Sequence, residues 1–220
     1  MSMSGAGQGV EYYSLIRDGA SLLFTGTLIG LVLLILTSAV MGTVVNGMAY
    51  YSINDAVHAG ALIAMVVELI VIAVTYKYAY GGFIKLATAN RPRYDIGRVG
   101  SIAYIIGLVI MCLIYAYMLT ITFSPGNLWL TQSMEMPGKI ALFVTGIPVA
   151  IGEYRLGNEF GVESLTVGSV LGVILSAINL IPGSTVMTIL EIIMALITWA
   201  LLLMGFNNVR KIAEDRLKQQ

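Results

Sequence analysis

The sequence predicts an all-α integral membrane protein of six transmembrane helices, arranged as three helical hairpins repeated in parallel orientation. Three observations predict it. The chain of 220 residues is 58% hydrophobic and only 11% charged, under half the charged fraction of about a quarter that soluble domains carry. Its apolar residues fall into six runs long enough to cross a bilayer, and one of its rare intramembrane acids recurs within a repeated pattern. So little charge cannot cover so much apolar surface in water; the solvent is lipid.

Residues 1–19 open the chain without a basic stretch followed by an apolar core, so the sequence predicts no cleavable signal peptide. Gly5 to Gly9 reads as a flexible lead-in, and Val10 to Arg17 as a short interfacial helix with Tyr12 and Tyr13 at headgroup level. Spans follow at roughly 20–45, 57–80, 99–123, 139–155, 162–181 and 185–206, since about 20 apolar residues at 1.5 Å rise cross the hydrocarbon core. These make a six-helix domain over 20–206. The fourth is the shortest, and Pro148 within it predicts a kink. Pro182-Gly183 predicts a tight turn between the last two spans, and 207–220 a cytoplasmic helical tail.

Lys and Arg set the orientation. With both termini cytoplasmic, the inner side collects Arg17, Lys77, Lys85, Arg91, Arg93, Arg98, Arg155, Arg210, Lys211, Arg216 and Lys218, against Lys139 alone outside. Dropping the fourth span would place the basic tail outside, so the asymmetry supports that span as well. Tyr50, Tyr51 and Trp129 then lie near the outer boundary and Tyr76, Tyr78, Tyr80 and Tyr154 near the inner one. The prediction is a multi-pass protein of the cell membrane, N-in and C-in.

The repeat rests on spacing. Glu68 precedes Thr75-Tyr76 by seven residues and Gly82-Phe83 by fourteen; Glu191 precedes Thr198-Trp199 and Gly205-Phe206 by the same intervals. In the fourth span Thr145 and Gly152 keep the interval of seven, and Gly138 falls where the glutamates would be, beside Lys139. The odd spans echo one another with Ile-Gly-Leu-Val at 29–32 and 106–109 and Leu-Gly-Val-Ile at 171–174, each after an acid: Asp18, Asp95 or Glu159. Short apolar matches arise readily in such a chain, whereas intramembrane glutamate is rare.

Residues seven apart share a helix face, so Glu68 faces with Ala61, Ala64 and Thr75, and Glu191 with Thr188, Ala195 and Thr198. Small and hydroxyl-bearing residues mark faces where membrane helices approach closely; both acids are therefore expected to point inward. The expectation is a charge cluster of Glu68, Glu191 and Lys139 at one depth, with packing contacts also at Gly26, Gly30, Gly168, Gly172 and Asn179. The same acids are compatible with a proton or cation path, although no chain of further acids or histidines continues it to the inner face.

Other chemistry finds no motif. Cys112 stands alone, so no intrachain disulfide forms. His58 is the single histidine, which excludes a bis-histidine haem within the chain, and a zinc site would need more converging ligands. No serine-nucleophile, phosphate-loop or His-Glu-x-x-His pattern occurs. The expectation is no enzyme, no cofactor and no nucleic-acid partner, with membrane lipids and other membrane subunits, or copies of the chain itself, as partners. Basic segments 81–98 and 207–220 are the expected contact surfaces for anionic headgroups or a cytoplasmic partner.

The stretch Gly82-Phe83, a basic loop, then Tyr94-Asp95-Ile96-Gly97-Arg98-Val99-Gly100 resembles a pattern in uncharacterised archaeal multipass membrane proteins, over about thirty residues. The resemblance implies an archaeal plasma membrane and an all-helical fold; it implies no activity. The function expected from the whole is a non-catalytic membrane scaffold or accessory subunit. The alternative is a small transporter or channel using Glu68 and Glu191.

Overall fold

The computed structural model describes residues 4–49, 52–181 and 185–220, with the side chains at 4–8, 46 and 185–189 outside the description. Eight α-helices account for nearly all of it: α1 Ser4–Val40, α2 Asn46–Ala49, α3 Ile53–Val74, α4 Gly81–Ala89, α5 Arg91–Met118, α6 Trp129–Phe160, α7 Glu163–Ile178 and α8 Thr185–Lys218. Wider π-helical turns at Met41–Val45 and Thr75–Tyr80 join α1 to α2 and α3 to α4. The helical membrane class read from the sequence is therefore present. Five continuous helices are long and apolar enough to cross a bilayer, and α7 is shorter.

The boundaries follow local chemistry. Ser52 starts α3, its hydroxyl accepting the Asp55 backbone N–H at 3.2 Å. Asn90 breaks the chain between α4 and α5, and Pro92 then sits in the first turn, where its missing N–H costs nothing. Gly161, at φ 64°, closes α6 in the left-handed conformation that glycine adopts without strain. At the end of α7, Asn179 caps the helix, its N–H reaching the Leu175 carbonyl, and Pro182 follows in the sequence.

Several expectations need correction. The fourth span is not short: α6 runs for 32 residues straight through Pro137 and Pro148. Pro148 packs against Gly100 of α5, where a Cβ would lie 2.7 Å from its ring. The fifth span is shorter than expected, since α7 has 16 residues, about 24 Å of rise. Gly5 to Gly9 is helical, within α1. The stretch 81–98 is not an open loop but the two helices α4 and α5 meeting at Asn90. The Pro182-Gly183 turn and Tyr50 and Tyr51 lie outside the described residues.

Each long helix packs on the next in sequence, and α1 packs on α8, so the bundle closes into a ring. Glycines set the close approaches and show the neighbours to be antiparallel. A Cβ at Gly19 would meet Gly82 at 3.0 Å and one at Gly26 would meet Tyr78 at 2.7 Å. Gly152 abuts Gly97, while Gly138, further back along α6, abuts Met111, further along α5. Gly168 faces Leu202 and Gly205 faces Leu165.

The main core sits at the end of the ring that carries the arginines. Ile16, Leu23, Phe83, Leu86, Tyr94, Leu156, Leu165, Phe206 and Val209 are buried together there, drawn from α1, α4, α5, α6, α7 and α8. A smaller cluster of Ala61, Met118 and Phe123 closes the opposite end. The segment 207–220 continues α8, with Val209 and Ala213 fully buried in the main core. Through these two side chains the segment packs against the rest of the bundle.

Candidate functional site

Polar and charged side chains inside an apolar bundle are where function is sought first. Glu68 is half-buried on α3, one turn beyond Ala64. It faces α5, within electrostatic reach of Tyr104, Cys112 and Tyr115. Glu191 is half-buried on α8 between exposed Leu190 and Ile192. Neither carboxylate has an ion-pair or hydrogen-bond partner among the described residues.

Lys139 has a different partner from the one the spacing suggests. Its Nζ lies 3.0 Å from Glu135, one turn earlier on the same helix, a pairing that needs no tertiary contact. Glu135 in turn acts electrostatically on Tyr115, as Glu68 does. The ion pairs among the described residues include none joining Lys139 to Glu68 or Glu191.

The expected packing residues divide. Gly26 lies against Tyr78, Gly30 against Trp199 and Gly168 against the backbone of Leu202. Gly172 makes an ordinary contact with the Thr198 methyl, at 3.7 Å from a Cβ built on it. Thr75 and Thr198 are both buried, and the Thr198 hydroxyl has no hydrogen-bond partner among the described residues. Ala64 is half-buried. Asn179 is corrected: it is exposed and ends α7 instead of packing between helices. The side chain of Thr188 lies outside the described residues.

Two groups were passed over by the sequence reading. The first is Glu153, on α6 directly after Gly152. Tyr154 and Arg155 beside it mark the end of a span, and that signal hides the acid. Yet Glu153 lines a cavity of about 150 Å³ between α6 and α7. The second is a node on Glu159, whose position before the Leu171–Ile174 echo was noted but whose partners were not. The Tyr12 and Tyr94 hydroxyls donate to its two carboxylate oxygens, and Arg93 Nε lies 2.9 Å away. Arg155 adds a hydrogen bond of 3.1 Å to the Arg93 carbonyl. These contacts tie α1, α5 and α6 at the arginine end, and no sequence spacing announces contacts 65 and 147 residues apart.

At the other end His58 has a structural partner. Its Nε2 is 2.8 Å from the Ile121 carbonyl, and Asn54 on the same face accepts the Phe123 N–H at 2.8 Å. His58 also meets the Phe123 ring edge-to-face. The pair fastens the chain leaving α5 onto α3.

Over residues 10–220 the chain matches the family described as a protein of unknown function, DUF973, and it belongs to that family. The match extends far beyond the thirty residues that carry the loop resemblance. No curated protein and no solved structure matches the chain.

Proposed function

Within a family that has no assigned activity, we propose that this protein is a non-catalytic multi-pass scaffold or accessory subunit of the cell membrane. It packs within a larger membrane assembly or with copies of itself, and both termini face the cytoplasm. One observation carries the reading: Glu68 and Glu191 sit half-buried in apolar helices, without a partner among the described residues. Each is followed by two exposed apolar residues, Leu69 and Ile70 or Ile192 and Ile193. An unpaired carboxylate within a membrane span costs about 2.5–3.5 kcal/mol even on the most lenient scale. A donor from a neighbouring chain removes that cost.

The threefold hairpin is part of the proposal. Equivalent positions share their environments: Phe83 and Phe206 are fully buried, Thr75 and Thr198 are buried, and Gly82 and Gly205 both sit in close contact with another helix, α1 and α7 respectively. The inner side is taken as the arginine end, and an archaeal membrane, implied by the loop resemblance, as the setting. Native mass spectrometry after gentle extraction tests the reading. We expect more than one copy, or a second subunit in fixed ratio, and dissociation in Glu68→Leu/Glu191→Leu. A lone wild-type chain, unaltered by the double substitution, would refute it.

A second reading, proton or cation coupling, draws on the acids at successive levels: Glu135 beside Lys139, Glu68 facing Tyr104, and Glu153 at the cavity. Proteoliposomes loaded with a pH-sensitive dye separate it from the first. A proton leak or uptake abolished by Glu68→Gln would favour it.

A further inference from the structure

The cavity beside Glu153 has a chemistry of its own. Gly157 packs against Thr166, so α6 and α7 run antiparallel, and Glu153 lies near the level of Ser169 while Ile147 lies near that of Ser176. Tyr104 of α5 closes one side. The rest of the wall is apolar or glycine, including Phe143, Gly146, Ala150 and Gly172. The space is about 150 Å³, the size of an engineered cavity that accepts benzene. It is therefore too large for a bare ion and right for a ligand of a few carbon atoms.

The polar groups select the sign of that ligand. Ser169 Oγ donates to the Leu165 carbonyl at 2.7 Å, and Ser176 Oγ donates to the Gly172 carbonyl at 2.9 Å. A hydroxyl has one proton; with both protons committed to the helix, each serine is left with oxygen lone pairs. Glu153 contributes a carboxyl group with no ion-pair partner among the described residues, able to give its proton to a basic amine. Acceptors thus outnumber donors, and Tyr104 supplies the one hydroxyl not so committed. An anion would meet lone pairs and few donors. A divalent metal wants several oxygen ligands and usually more than one carboxylate, and no three His, Cys, Asp or Glu side chains converge among the described residues.

We propose that this cavity is a binding site for a small protonated aliphatic amine. Glu153 is the counter-ion, Ser169 and Ser176 are additional acceptors, and the apolar wall takes the alkyl chain. The inference does not rest on the scaffold reading, since neither Glu68 nor Glu191 lines the cavity.

The test is isothermal titration of the full chain in detergent with n-butylammonium, 1-butanol and sodium ions. Saturable one-to-one binding of n-butylammonium is expected with a Kd of order millimolar, the range open to about five heavy atoms. Glu153→Gln should weaken it about tenfold or more, the loss expected when a charged hydrogen-bond partner is removed. Gly146→Leu should abolish it by occupying the space while leaving Glu153 in place. A Cβ at Gly146 meets nothing nearer than Tyr104 at 3.8 Å among the described residues, so the branch is admitted there, and Gly146→Leu with wild-type circular dichroism serves if Glu153→Gln does not fold. The proposal is overturned if n-butylammonium fails to saturate, if 1-butanol binds equally well, if sodium alone binds, or if a folded variant retains wild-type affinity.

Discussion

Replacing Gly152 by alanine tests the packing that the rest of the molecule depends on. The added Cβ would lie 2.7 Å from the Phe83 ring and 2.8 Å from the Gly97 Cα, where ordinary contact begins at 3.4 Å. The Phe83 ring is fully buried and the Gly97 Cα is backbone, so neither yields by a rotamer change. The α5 and α6 backbones must part by roughly 0.6 Å, and the others meeting at Phe83 must follow. Overpacking of this kind costs about 1–3 kcal/mol, offset by up to about 1 kcal/mol from the better helix propensity of alanine. The net expectation is a destabilisation of about 1–2 kcal/mol, read as a fall in Tm of about 2–8 °C for a chain of this size.

Thermal or detergent-induced unfolding followed by circular dichroism measures the effect, with Gly47→Ala as the opposite control. A Cβ at Gly47 meets nothing within 4 Å among the described residues, so that variant should gain about 0.5–1 kcal/mol from propensity alone. Adding Phe83→Leu to Gly152→Ala should recover only part of the loss, because the Gly97 contact persists. If Gly152→Ala is as stable as Gly47→Ala, the close approach of α5 and α6 does not exist and the reasoning fails.

Three further outcomes follow from the polar contacts. Glu159→Ala removes two tyrosine hydrogen bonds and the Arg93 pair, and should cost about 2–4 kcal/mol; the same unfolding assay checks it, with Tyr94→Phe expected to lose about 1 kcal/mol or slightly more. Lys139→Gln should change stability by less than about 1 kcal/mol, as for a partly exposed pair one turn apart; a loss of several kcal/mol would instead reveal a buried cluster with Glu68 or Glu191. His58→Ala should free the chain after α5, so that hydrogen exchange at Ile121 and Phe123 accelerates while the arginine end is unaltered.

The class of fold was legible because lipid imposes it: apolar runs of the required length have few structures open to them in a bilayer. The close approaches at Gly26, Gly30 and Gly168 were legible for the same reason, as small residues mark where membrane helices meet. Boundaries were harder. Arginines and prolines suggest where a span ends, but α6 passes through Pro148, whose ring packs on Gly100 of α5, and α8 continues past Phe206, where Val209 and Ala213 still find core neighbours. Lys139 misled for a related reason. Spacing across a repeat aligns it with the glutamates, whereas Glu135, four residues away on its own helix, reaches it at no tertiary cost. The Glu159 node was not legible at all, since a carboxylate holding Tyr12, Tyr94 and Arg93 is a property of the assembled ends.

The two ends of the ring are built differently, and that difference bears on function. At the arginine end, large side chains from six helices fill one core, glycines bring backbones together, and Glu159 cross-links three helices. At the other end a smaller cluster and the His58 and Asn54 contacts hold one connection. Opening a densely packed end requires many contacts to break at once, whereas a lightly packed end separates at lower cost. If the ring moves at all, the arginine end is the fulcrum and the opposite mouth, between α3 and the chain that follows α5, is the part that widens. Glu68 lies nearer that mouth than Glu153 does. A scaffold would present Glu68 there to a neighbouring helix, and a transporter would expose it there to solvent. Cysteine labelling at Ala64, one turn from Glu68, distinguishes them: a water-soluble maleimide reacts in the transporter and is excluded in the assembled scaffold.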